Sequence, residues 1–106
     1  MPTQAYNGTG AYQKLWELLD KKGFYINVGQ PPTGTPAQEN LAAQIMDIVQ
    51  GKFGEAYMTQ PSREDIKAML TKLRTKKEEL KLSGPLETIL DAGIRLAEKE
   101  HRLNSV

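Results

Sequence analysis

Residues 61–84 (PSREDIKAMLTKLRTKKEELKLSG) constrain the fold most, because they read as one long amphipathic helix and as little else. Ser62 stands where an N-cap belongs, and Asp65, three residues on, is placed to close a capping box. At about 100° per residue, Ile66, Met69, Leu70, Leu73 and Leu80 share one face, which must be buried. Arg63, Lys67, Arg74, Lys77 and Lys81 fall within roughly 80° of one another along one border of that face. The result is a basic stripe beside an apolar seam. Ser83-Gly84-Pro85 is expected to end the helix, with Gly84 at a left-handed C′ position and Pro85 unable to continue it.

The flanking sequence supplies what such a seam can pack against. Residues 11–22 place Tyr12, Leu15, Trp16 and Leu19 at helical spacing, and Gly23 closes that helix. Trp16, the single tryptophan, reads as a core anchor. Thr35-Pro36-Ala37-Gln38 combines an N-cap, a proline at the first helical position and a capping-box glutamine, opening a helix to about Gln50 whose buried face is Leu41, Ala42, Ile45, Met46, Ile48 and Val49. From Pro85 to about Leu103, Leu86, Ile89, Leu90, Ile94, Leu96 and Ala97 form a wide apolar arc. Gly93 lies within it and points to the close approach of another backbone. Between the first two helices, residues 24–28 (FYINV) alternate like a short half-buried strand whose partner would be helices or the same segment of another subunit. The expected fold is all-α: a small orthogonal or bundle-like domain of four main helices with one short extended segment after the first. Residues 1–10 are expected to form a flexible arm, 11–103 a single domain and 104–106 a frayed tail.

At 106 residues and 39% hydrophobic, the chain can bury a core without staples. It has no cysteine, which removes disulfides, thiolate nucleophiles and the common zinc frameworks together and fits a reducing compartment. With no basic-then-apolar leader and no run approaching 18 apolar residues, neither export nor a membrane span is expected, and a cytoplasmic location, of a cell or of an infected host, follows. A net charge of +1 gives no global pull toward nucleic acid or a membrane, so electrostatic targeting must come from a local patch.

Catalysis is disfavoured by the inventory. The single histidine, His101, reads as a solvated helix-end residue. The adjacent carboxylates Glu64-Asp65 and Glu78-Glu79 diverge by about 100° and cannot converge on one substrate atom. No phosphate loop, metal motif or nucleophile elbow is present, so neither a cofactor, a metal nor a small-molecule substrate is expected.

The expected function is a non-enzymatic structural or interaction protein, an assembly component or adaptor of the kind viruses and phages encode. It would act by self-association, as a homo-oligomer, or by docking to a larger partner, and Tyr6, Tyr25 and Asn27 are the candidate interface residues. The alternative is a nucleic-acid-binding accessory protein using Arg63, Lys67, Arg74, Lys77 and Lys81 against phosphates. Against it, acids on neighbouring helices can compensate the same stripe, and the aromatic residues are not interleaved with the charges. Residues 15–28 (LWELLDKKGFYINV) with Gly29 resemble the helix, glycine and short strand arrangement in the nucleocapsid-binding domain of vesiculovirus phosphoproteins. That likeness implies a viral interaction module and transfers no individual residue's role.

Overall fold

The computed structural model describes residues 10–24, 33–53 and 60–103. They form four helices, α1 (Ala11–Lys21), α2 (Pro36–Val49), α3 (Arg63–Glu79) and α4 (Gly84–Glu100), with no strand among the described residues. The all-α expectation holds. The arm, the FYINV segment beyond Phe24, and Tyr6, Tyr25 and Asn27 lie outside the described residues.

Both predicted capping boxes form. Thr35 Oγ1 accepts from the Gln38 amide at 3.2 Å while Gln38 Oε1 accepts from the Thr35 amide at 2.9 Å. Ser62 Oγ accepts from the Asp65 amide at 3.1 Å, and Asp65 returns the bond at 3.4 Å. These two helix starts are therefore specified by four consecutive residues each.

Each helix ends in the same pair of backbone bonds, in which the amide of C′ reaches the carbonyl of C2 and that of C″ reaches C3. In α1 and α2 the left-handed C′ residue is Gly23 or Gly51, with φ of 90° and 78°. In α3 and α4 it is Lys81 or Arg102, at 55° and 57°, where a side chain costs energy that glycine would not. The residues that follow, Leu82 and Leu103, are buried, and that burial offsets the strain. This corrects the expected end of the third helix. It stops at Glu79, Lys81 takes the C′ role, and Gly84, although its φ is 67°, opens α4 instead.

Contacts between helix ends fix the topology. Glu39 near the start of α2 bonds the first amides of α1, His101 at the end of α4 meets Ile48 near the end of α2, and Lys22 after α1 pairs with Glu100 of α4 at 3.7 Å. Three helices therefore run in one general sense. Conversely, Lys77 near the end of α3 meets Asp91 in the first half of α4, so α3 runs the opposite way. Helices α2 and α4 each touch all three others, whereas α1 and α3 do not touch.

The core is built from Tyr12, Leu15 and Leu19 of α1, Leu41, Ile45 and Ile48 of α2, Ile66, Leu70 and Leu73 of α3, and Ile89, Leu90, Ile94 and Leu96 of α4. Trp16 is half-buried against its margin and is not a central anchor. Gly93 marks a close approach, but of side chains where backbone was expected. A Cβ there would stand 2.9 Å from Ile45 Cγ2 and 3.1 Å from Leu15 Cδ2, so α4 uses this gap to admit α1 and α2 together.

His101 also departs from expectation. Instead of being solvated, it is half-buried, with Nε2 2.6 Å from the Ile48 carbonyl oxygen and its ring 5.7 Å from that of Phe53. An imidazole N–H donating to that carbonyl ties the C-terminal ends of α2 and α4 together.

Candidate functional site

The apolar face of α3 has two flanks, and they meet different fates. The flank carrying the predicted stripe turns toward α4. Arg74 Nη2 bonds Glu98 at 2.5 Å, Lys77 Nζ bonds Asp91 at 2.7 Å and Glu87 at 3.5 Å, and Arg63 Nη2 donates to the Arg102 carbonyl at 2.6 Å. The Lys77 side chain is only 15% exposed, and its hydrogen bond to Asp91 raises its pKa above the usual lysine value against the opposing effect of burial. These three cations fasten α3 to α4. Lys67 stays exposed on the stripe with no partner among the described residues, and Lys81, also exposed, leaves the helix axis altogether at the left-handed C′ position. Of the five predicted residues, Arg63, Lys67, Arg74 and Lys81 are exposed and Lys77 is half-buried.

The other flank is open. At about 100° per residue, Lys72 and Lys76 border the opposite side of the seam from Arg74 and Lys77. There α3 and α2 diverge around a groove of about 380 Å³, floored by Ile48, Phe53, Met69 and Leu73 and edged by Lys52 and Lys72. It continues past Thr75 and Lys76 toward Glu79. Met69 and Phe53 are half-buried, and Lys72 has no partner among the described residues. Lys76 makes an exposed pair with Glu79 at 3.6 Å, an interaction worth only about 0.3–0.5 kcal/mol in helices. Asp47 stands in the same groove, where burial raises its pKa and Lys52 lowers it less. Lys52, Lys72 and Lys76 against Asp47 and Glu79 leave the groove's edges net basic by one charge.

Sequence reasoning missed this flank because it followed the longer stripe. The signal was present: Lys72 and Lys76 are four residues apart, and Met69 stands on their side of the seam.

It also missed Glu39, the one buried charged residue among those described. Glu39 is 0% exposed, and its Oε1 accepts from the amides of Ala11 at 2.8 Å and Tyr12 at 3.2 Å, while Oε2 accepts from Gly34 at 2.7 Å. Gly10, the N-cap of α1, has no side chain, so α2 supplies the cap that α1 lacks. The carboxylate faces the positive ends of two helix dipoles and is stabilised by both. Beside it the Tyr12 hydroxyl is buried with no hydrogen-bond partner among the described residues, and burial first, then the Glu39 charge, push its pKa well above the phenol range. Tyr12 is 1% and Glu39 0% exposed, so the pair lies inside the core.

Among the described residues no cluster of three or more histidine or acidic side chains is placed to hold a metal, and no helix is long and apolar enough to cross a membrane. No known family, curated protein or solved structure matches the chain.

Proposed function

We propose that this chain is a non-enzymatic interaction module, an assembly component or adaptor, that docks a protein through the groove between α2 and α3. The observation that supports this reading is the half-buried pair Met69 and Phe53 on the floor of an open, lysine-edged groove. An apolar floor with a polar rim is the usual anatomy of a protein contact surface. Self-association belongs to the same proposal, as does a cytoplasmic setting, for which the cysteine-free sequence is the argument. The nucleic-acid alternative has less behind it, because Arg63, Arg74 and Lys77 are already engaged by α4 and its C-terminal turn.

Light scattering across a dilution series, run on the parent chain and on Met69→Glu, tests self-association. A concentration-dependent mass that the substitution abolishes supports the proposal. A photo-crosslinker at position 69 that captures one protein of defined mass, with none captured from position 88 on α4, supports docking to a different partner. Salt-dependent binding of labelled DNA or RNA that is lost when Arg74 and Lys77 become glutamine would favour the alternative.

A further inference from the structure

The groove has a chemistry as well as a shape, and the chemistry selects among occupants. Its floor is aliphatic, thioether and aromatic, and methionine adapts to varied apolar side chains. Its cations are all lysines: Lys52 at the end shared with Phe53, then Lys72 and Lys76 four residues apart along α3. From Met69 to Glu79 the lining spans ten residues of helix, about 15 Å, or close to three turns. On the other side of α2, Lys14, Glu17 and Lys21 line a second depression that shares Asp47 and Lys52 with the first, and its three lysines outnumber its two acids.

Resting on the docking reading above, we propose that the occupant is an acidic amphipathic helix of about three turns from a partner protein, its carboxylates four residues apart against Lys72 and Lys76 and its apolar side chains on Met69 and Phe53. Residues four apart on one helix face residues four apart on another, so the lysine spacing sets the spacing of acids it reads. A nucleic acid fits less well. Phe53 is the one aromatic side chain among the described residues that line the groove, so it offers no series of platforms on which successive bases would stack. A second copy of this chain fits less well too, because Glu87, Asp91 and Glu98 of α4 already hold α3.

The test is selection of random twelve-residue peptides displayed on phage against the full chain, followed by fluorescence anisotropy with the enriched peptides. The expected winners carry Asp or Glu at four-residue spacing on one side of an apolar stripe. Their affinity falls about tenfold on K72E/K76E, as expected when two rim ion pairs are replaced by two like-charge contacts, and is lost on M69E. Replacing the peptide acids by lysine restores binding to K72E/K76E. Circular dichroism checks that both variants keep the parent helicity, as exposed lysines and a half-buried methionine allow. Enriched peptides that are neutral or basic yet depend on Met69 would overturn the acidic assignment and leave docking standing. No Met69-dependent enrichment would overturn both. Labelled DNA or RNA that competes at low salt and is lost on K72E/K76E would assign the groove to phosphates and overturn the inference.

Discussion

Replacing Glu39 by alanine removes the cap that α2 lends to α1, and its cost can be worked from the structure. Three amides, those of Ala11, Tyr12 and Gly34, lose an ionised acceptor at 2.8, 3.2 and 2.7 Å. Ala11 and Tyr12 are each 1% exposed, so water reaches their amides poorly, whereas Gly34 is only partly covered. Each buried unsatisfied donor costs about 1–3 kcal/mol, so two buried amides and one half-covered amide together cost about 3–5 kcal/mol. We therefore expect Glu39→Ala to lose about 3–5 kcal/mol, a large share of the roughly 5–15 kcal/mol that holds such a domain together. At about 4–8 °C per kcal/mol for a domain this size, the Tm falls by about 12–40 °C. Glu39→Gln keeps the shape and one oxygen for Ala11 and Tyr12 but turns an amide donor toward the Gly34 N–H, and should lose about 1.5–3 kcal/mol. Urea titration followed by Trp16 fluorescence and by circular dichroism measures both, and amide exchange at Ala11 and Tyr12 should speed up in each variant. If both variants lie within about 0.5 kcal/mol of the parent, the carboxylate is not the cap of α1 and the reasoning fails.

Tyr12→Phe removes the orphaned hydroxyl and should raise the urea midpoint, gaining about 0.5–1 kcal/mol; a loss of that size would reveal a partner for the oxygen. Tyr12 and Lys77 both have raised pKa values in the folded chain, so their contribution to stability is complete below the unfolded values of 10.0 and 10.5 and is lost as pH climbs past them. A pH series of melting curves should show a decline beginning near those values, shallower in Tyr12→Phe. Lys81→Gly relieves a left-handed side chain and should gain about 0.5–1 kcal/mol in the same titration, whereas a role for Lys81 in binding would appear as lost affinity with no gain in stability. Gly93→Ala adds helix propensity but drives a methyl into Ile45 and Leu15, and a net loss of about 1–2 kcal/mol is expected; a gain would mean that the three helices can separate at no cost.

What the sequence reveals of this fold is what neighbouring residues decide among themselves. Thr35 with Gln38 and Ser62 with Asp65 are legible because the cap and its partner are three residues apart. The buried faces are legible from spacing, and Gly23 and Gly51 are legible as helix ends because glycine alone adopts their conformation without strain. Lys81 and Arg102 do the same work unseen. Nothing local selects them, and their conformation is held by the burial of Leu82 and Leu103 against helices distant in sequence. The fate of the basic stripe was hidden for a similar reason. Arg74 and Lys77 find acids 24 and 14 residues away, and only the rotation of α4 about its own axis decides whether those acids face them. Glu39 is an acid in the first turn of α2, and nothing local in the sequence says that the start of α1 lies beside it. The groove follows from the same rotation, since it is the side of α3 that α4 does not cover.

That α4 touches every other helix has a consequence for how the chain is made. A ribosome releases α1, α2 and α3 first, yet Leu15 and Ile45, which pack against Gly93, have no complete shelter until residues 84–103 emerge. Until then the nascent polypeptide exposes oily surface to whatever is nearby, and a chaperone that grips short apolar segments would find its best opportunity in that interval.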